Sequence, residues 1–255
     1  MRKLDENYWN NKWPKAPIIY NGRALRGPRL EQRIAVDVKK FISTDDEIMK
    51  QIVSRYRLQK RDPDDTALTI QKWIVRFMTY KYDEVTSNVP EFWQFPFETI
   101  QSEDGDCEDG AILMTTLMTH AGIPNWRVKV AAGFVQASPT APQGGHAYTL
   151  YLANDGEWRI LDWCYLEDSH IRVQDKPLAK NGGQRNAYKE IWFTFNDQHS
   201  WNQKSLCIKG RVANNRAELS DNSLNEIIDK KDDMKILLKE VDQKYKKKKK
   251  IKKNK

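Results

Sequence analysis

Residues 107–121 constrain this chain more than any other stretch. They read Cys-Glu-Asp-Gly-Ala-Ile-Leu-Met-Thr-Thr-Leu-Met-Thr-His-Ala, a helix apolar on most faces. Ala111, Ile112, Leu113, Met114, Leu117 and Met118 leave no broad polar stripe for solvent. Such a helix belongs in the middle of a fold, with other elements packed around it. Gly122 follows as the left-handed stop, and Pro124 prevents continuation. The chain can supply the packing: its 255 residues are 39% hydrophobic, with 9 Trp, 10 Tyr and 8 Phe. That is enough to bury a sizeable core. No apolar run approaches the ~20 residues that would span a bilayer.

The partners of this helix are legible in outline. Residues 33–42 partly alternate and read as a strand. A helix over 45–57 is expected behind Ser43 or Thr44 as cap, with Glu47 completing a capping box on Thr44. A second helix over 64–80 carries Ala67, Ile70, Trp73, Ile74, Phe77 and Met78 at spacings of three and four. Residues 86–106 read as loop. After the central helix the period changes to two, and residues 126–136, 146–153, 157–163 and 190–196 read as strands. Asn154-Asp155-Gly156 is a hairpin loop between the second and third of these. Helices first, then an antiparallel sheet, make an α+β domain over 33–213. Residues 1–32 form an irregular arm, anchored by Trp9, Trp13, Ile18, Ile19 and Tyr20. A helical extension is expected over 214–243, then a lysine-rich disordered tail over 244–255.

Charge is concentrated in that tail. The net charge is +8, but residues 243–255 hold nine Lys and no acid. Without them 34 basic residues face 35 acidic ones, a balance of −1. The body therefore carries no compositional sign of nucleic-acid binding. The tail is a solvated segment or a weak, salt-sensitive grip on a polyanion or nucleic acid. Three Cys at wide spacing (107, 164 and 207) suggest neither a zinc knuckle nor a disulfide framework. A reducing compartment is expected. The basic start Met1-Arg2-Lys3 has no apolar stretch behind it, so no secretory signal peptide is expected.

The chemistry-bearing segment is Gly105-Asp106-Cys107-Glu108-Asp109-Gly110. It puts a thiol in the first turn of the buried helix, where unpaired N–H groups and the helix dipole favour a thiolate and an oxyanion. Cys164 and Cys207 are read as structural. A thiol nucleophile needs a base. His120 lies at the far end of the same helix, ~20 Å away at ~1.5 Å per residue, and His170 and His199 sit in loop-like stretches. His146, behind Gly144-Gly145, opens a strand and is the candidate. Its orienter follows from the hairpin. With a three-residue loop and Gly156 left-handed, Ala153 faces Glu157 and Tyr148 faces Asp162. His146 and Asp162 are then diagonal neighbours on one face. A two-residue loop would put them on opposite faces.

These residues resemble a family. Gly-Asp-Cys-Glu-Asp at a helix start, Gly-Gly-His-Ala at a strand start and Leu161-Asp162 on the next strand are similar to the transglutaminase-like cysteine peptidase superfamily. The bacterial transglutaminase-like cysteine proteinases, some of them calcium-dependent, are the nearest in pattern. Phe92-Trp93-Gln94-Phe95-Pro96-Phe97-Glu98-Thr99 resembles the stretch before their nucleophile. The similarity spans roughly residues 64–165. It implies a papain-like, transglutaminase-like α+β core with the nucleophile helix packed on an antiparallel sheet. It also implies Cys107 as nucleophile, His146 as base and acid, and Asp162 as orienter. Trp93, Gln94 or Gln101 could complete an oxyanion hole. Five acids around the thiol, Glu103, Asp104, Asp106, Glu108 and Asp109, cap the helix but oppose a thiolate. An imidazolium at His146 or a bound Ca²⁺ would offset them, and the resemblance points to Asp106 and Glu108 as calcium ligands. No cofactor is required by this chemistry.

The resulting expectation is a peptidase of protein or peptide substrates, favoured over amine transfer, in a cytoplasmic or virion-associated setting. The alternative is a catalytically silent scaffold or assembly protein working through its C-terminal helix and tail. Oligomeric state is open.

Overall fold

The central helix, α6 (Cys107–His120), is buried from Glu108 to Met118 and sets the layer order of the molecule. The computed structural model describes residues 4–24, 33–86, 91–179 and 187–202. Cys207 and the expected helical extension and lysine tail lie outside them.

Helices α2 (Glu47–Arg55) and α3 (Pro63–Phe77) cover one side of α6. Leu113, Met114, Leu117 and Met118 pack there against Met49, Ile52, Ile70, Trp73 and Phe77. The other side lies on a five-stranded antiparallel sheet. Its strands are β5 (Val128–Val135), β6 (Gly144–Leu152), β7 (Trp158–Leu161), β8 (Tyr188–Phe195) and β9 (Ser200–Asn202), in the order β7-β6-β5-β8-β9. Ala111 and Ile112 meet Val130, Phe193 and Phe195 on that face. The alternation that puts Val130 towards α6 puts Ala131 on the opposite face with Leu150, Trp158 and Ile191.

The expected boundaries shift for identifiable reasons. Asp46, not Ser43 or Thr44, caps α2, its carboxylate accepting from the Ile48 and Met49 N–H groups. A carboxylate beside Glu47 outcompetes the hydroxyls for the free N–H groups. Helix α3 starts one residue early, with Asp62 as cap and Pro63 in the first turn. It stops at Met78, after which β3 (Thr79–Tyr80) pairs in parallel with β4 (Asp104–Gly105). The stretch read as loop contains α5 (Pro96–Ser102), and α4 (Asp83–Thr86) ends at its first residue. Pro96 opens α5 rather than breaking it, and the Glu98 carboxylate accepts from the Phe95 N–H at 2.9 Å. The N-terminal arm is not irregular throughout: it holds α1 (Glu6–Asn11) and β1 (Ile19–Ala24), which pairs with β2 (Arg33–Asp37). The strand expected over 33–42 is only its first half. A 3-10 turn, Val38–Phe41, follows.

Candidate active site

Two junctions build the site: the start of α6 and the open end of the β6–β7 hairpin. The hairpin has the three-residue loop. Ala153 N–H donates to Glu157 O at 3.0 Å, Gly156 N–H to Ala153 O at 3.0 Å, and Gly156 has φ 83°. The ladder runs Leu152 to Trp158, Leu150 to Ile160 and Thr149 to Leu161. Continued by one residue, it sets Tyr148 opposite Asp162. His146 and Asp162 thus meet: Nε2 lies 2.6 Å from Oδ2. Both residues are buried, at 8% and 1% exposure, so the pair is shielded from bulk water.

The surroundings of Asp162 hold it ionised. Burial alone would raise its pKa, but the hydrogen bond and charge of His146, with the Cys164 N–H and Tyr188 O–H, hold the carboxyl below its ordinary range. The Tyr188 hydroxyl donates to Oδ2 at 2.7 Å, and the Cys164 N–H to Oδ1 at 3.0 Å. Gln71, from α3, donates to the Asp162 carbonyl at 2.6 Å. Tyr148, Tyr165 and Tyr188 ring the imidazole, with centroids 5.3 to 6.4 Å away. Gln71 and Tyr188 are beyond the reach of local sequence rules, since they lie 91 and 26 residues from Asp162.

Cys107 opens α6 as read from the sequence, but its thiol is not hydrogen-bonded to His146. Among the described residues it donates to Glu108 Oε2 at 3.3 Å. Burial first, and then the charge of Asp106, push the thiol well above its ordinary pKa, while the Ala147 N–H pulls it down. That N–H, next to His146 on β6, brings the strand start against the sulfur. Trp163 closes the floor: its indole N–H donates to the Cys107 carbonyl at 3.3 Å. A Cβ on Gly110 would collide with that indole, so the glycine is needed for this approach.

The acids divide. Asp83, Asp106, Glu108 and Asp109 each bring a carboxylate oxygen within 4.8 Å of the others. Asp109 is fully buried and accepts from Gln94 N (2.7 Å), Gln94 Nε2 (2.8 Å) and Asp106 N (3.3 Å). Asp83 accepts from the Phe92 N–H. Asp106 Oδ1 and Glu108 Oε1 are buried with no hydrogen-bond partner. Burial comes first in pushing all four groups up in pKa, and Asp83 reaches about 7. Charge adds to it, from Asp106 on Asp83 and Asp109, from Cys107 and Asp109 on Glu108, and from Glu84 on Asp106, whose hydrogen bond with Glu108 works the other way. Glu103 and Asp104 stand outside this group, and Asp104 pairs with Lys81 at 2.7 Å.

Of the three side chains considered for an oxyanion hole, two are engaged elsewhere. Trp93 Nε1 donates to Glu91 at 2.6 Å. Gln94 Nε2 is shared between Asp109 and the Asp104 carbonyl. Gln101 is exposed. The far histidine of α6, His120, lies 2.9 Å from the Ser43 carbonyl.

A thiol at the start of a buried helix, with an imidazole–carboxylate pair on an adjoining antiparallel hairpin, defines a papain-like α+β core. Residues 50–163, which include Cys107, His146 and Asp162, match the profile of the transglutaminase-like superfamily. Among solved structures the chain is similar to Legionella pneumophila LapG, with 20% identity and a TM-score of 0.44, covering 64% of this chain and 89% of that one. Calcium-bound Legionella pneumophila LapG gives 18% identity and 0.40, over 70% and 98% of the two chains. A putative cysteine protease from Cytophaga hutchinsonii gives 20% and 0.39, over 52% and 43%. No curated protein matches the chain in sequence. Among the described residues no helix is long and apolar enough to cross a membrane.

Proposed function

We propose that this chain is a thiol-dependent hydrolase of peptide or side-chain amide bonds, with Cys107 as nucleophile, His146 as base and acid, and Asp162 as orienter. The observation that carries the reading is the buried 2.6 Å bond between His146 Nε2 and Asp162 Oδ2 beside the start of α6. Asp162 fixes the tautomer with hydrogen on Nε2 and leaves Nδ1 as the basic nitrogen. Nδ1 takes the Cys107 proton, and the thiolate attacks the carbonyl carbon. Main-chain N–H groups at the start of α6 receive the developing oxyanion. The Nδ1–H then protonates the leaving amine. Water, activated by the same nitrogen, releases the acyl group from sulfur. Hydrolysis is preferred to amine transfer because, among the described residues, none marks an amine-donor site. Apo sites commonly hold such contacts long, so the resting Cys107–Glu108 bond is compatible with the sequence of steps.

Calcium fits the acid cluster. Asp106 and Glu108 offer buried oxygens without partners, with Asp83 and Asp109 adjacent, and hard oxygen donors suit this ion. Bound there, it would supply positive charge against the carboxylates that now oppose a thiolate. Asp106, Glu108 and their neighbours would hold it.

Cys107→Ala should abolish acylation by an activity-based electrophile and lower amide hydrolysis by at least about a thousandfold, with an unchanged Tm. A thiol probe should label Cys107 faster than Cys164 or Cys207. Equal labelling of all three, with a wild-type rate no higher than that of the variant, would favour the second reading, a catalytically silent scaffold. The bond from the thiol to Glu108, in place of His146, is what favours that alternative.

A further inference from the structure

Cys164 has no part in the reaction above, yet it stands beside the groups that do. It follows Asp162 by two residues, and its thiol donates to Asp162 Oδ1 at 3.7 Å. On the other carboxylate oxygen sits His146 Nε2, at 2.6 Å. A ring nitrogen, a carboxylate oxygen and a sulfur, one from each residue, all lie within 4.8 Å of one another. His146 and Asp162 are buried, while Cys164 is half-buried, so the residue that contributes the sulfur is the most exposed of the three.

The donor set is chemically selective. Imidazole nitrogen, thiolate sulfur and carboxylate oxygen together are the ligands of Zn²⁺, held tetrahedrally at ~2.0–2.3 Å. A hard ion such as Ca²⁺ or Mg²⁺ gains little from sulfur. Three protein ligands leave a fourth position for water. A supporting shell is also present: the Tyr188 hydroxyl steadies Asp162 Oδ2 at 2.7 Å, and Gln71 steadies its main chain at 2.6 Å. The all-oxygen cluster of Asp83, Asp106, Glu108 and Asp109 shares no ligand with this one.

We propose that Cys164, His146 and Asp162 form an inhibitory site for a thiophilic divalent cation, Zn²⁺ being the representative ion, which disables the imidazole while bound. The inhibition rests on the reading of His146 as the base for Cys107; the binding does not. The exchange balances without oxidation or reduction. The Cys164 S–H bond breaks, its proton goes to solvent and the sulfur joins the metal. The metal takes the Nε2 lone pair, and the hydrogen formerly on Nε2 is replaced by one on Nδ1. One cation enters and one proton leaves. His146 stays neutral, but the nitrogen that must accept the Cys107 proton now carries a hydrogen. The base is therefore blocked without any contact between metal and nucleophile.

The test uses the full chain with Cys107→Ala and Cys207→Ser combined, so that Cys164 is the sole thiol. Cobalt(II) serves as a coloured stand-in for zinc. One cobalt per chain should bind with a thiolate-to-cobalt charge-transfer band, which Zn²⁺ displaces. The band should vanish when Cys164→Ser is added and weaken at least tenfold in affinity with His146→Ala. No band in the sole-thiol chain, or a band indifferent to His146→Ala, would overturn the site. In a second arm Zn²⁺ is titrated against activity, each protein measured relative to its own metal-free rate. Cys164→Ser should need at least ten times more Zn²⁺ for half-inhibition than wild type. Equal sensitivity would overturn the proposal, because the inhibition would then run through Cys107. A wild-type chain with no amidase activity sinks the catalytic reading alone, since the cobalt titration still decides the metal site.

Discussion

At the start of α6 four carboxylates crowd together, while on the sheet face away from α6 a single lysine is buried among indoles. Asp83, Asp106, Glu108 and Asp109 share one small volume. Lys129, at 1% exposure, has its ammonium 3.6 Å from the Trp201 ring centroid, 4.4 Å from Trp13 and 4.9 Å from Trp158. Among the described residues no hydrogen-bond acceptor reaches it. The two regions handle buried charge in different ways. The indole faces attract the cation from three directions, and burial, with the charge of Lys12 behind it, lowers the amine to about 7. This lysine needs no further partner. It ties down the arm, because Trp13 follows α1 and Lys15 bridges to Trp201 on β9. The carboxylates repel one another, and two of their oxygens are unpaired. A like-charged cluster of this kind calls for protons or a cation, and it stands beside the candidate nucleophile.

The contrast breaks most visibly at Asp109. Asp109→Ala removes an acceptor from the Gln94 main-chain N–H, the Gln94 amide and the Asp106 N–H. Leaving those buried donors unpaired should cost about 3 kcal/mol, seen as a clear fall in Tm. If Tm rises instead, repulsion within the cluster outweighs the hydrogen bonds, and Asp109 belongs with the unpaired oxygens rather than with the scaffold.

Calcium gives the next largest effect. Because the folded carboxyls have raised pKa values, the native state binds more protons than the unfolded chain between the ordinary carboxylate range and about pH 7, the value reached at Asp83. Stability should therefore fall as pH rises through that window. Calcium at a hundred times its dissociation constant should add about 2.7 kcal/mol and flatten the fall. Thermal melts at pH 5 and pH 7, with calcium or with chelator, check both, and Asp106→Asn should remove most of the calcium increment. Identical melts in calcium and chelator would remove the ion from the site.

Lys129 should act with the opposite slope. Its amine is lowered from its ordinary 10.5 to about 7. Between those values the unfolded chain carries the extra proton, so stability should rise with pH from about 7 upward. Below that window the cost of burying the charge is fully present. Lys129→Met should thus stabilise the protein by about 1–2 kcal/mol at pH 6, the indole attraction offsetting much of the burial cost. The gain should shrink towards pH 9. Chemical denaturation at both pH values measures it, and a variant less stable than wild type at pH 6 would show that the cage is worth more than the desolvation.

The two regions also differ in how far they can be read from residues alone. The start of α6 is legible because local rules act there: Gly105 to Gly110 precede an apolar run, and Gly122 and Pro124 end it. The three-residue loop is legible for the same reason, since Gly156 takes the left-handed conformation and sets the register of β6 on β7. What gathers around those elements is not. The Lys129 cage assembles Trp13, Trp158 and Trp201 from an arm and two strands. A lysine in an otherwise apolar strand looks like an exposed face until its neighbours are known. Gln94 and Trp93, read as amide and indole donors for an oxyanion, are spent on Asp109 and Glu91. The extent of α5 was hidden because a proline reads equally as a breaker or as a first helical residue. Local chemistry marks where a turn or a helix begins, and long-range packing decides which polar groups remain free to act.

The smallest effect separates the two influences on Lys129. Lys12 lies over Trp9, 4.6 Å from the ring centroid, and its charge adds to burial in lowering the Lys129 amine. Lys12→Ala should let that amine recover by a few tenths of a pH unit, since repulsion from an exposed, solvent-screened charge is worth under about 1 kcal/mol. The rise of stability with pH would begin correspondingly later, and raised salt should produce the same displacement in wild type but not in the variant. An NMR titration of the Lys129 side chain follows the proton directly. A shift of a full unit or more would mean that Lys12, rather than the indole cage and its dryness, sets the state of this lysine. The difference between a finished cation site and an unfinished anion site would then be one of neighbouring charge alone.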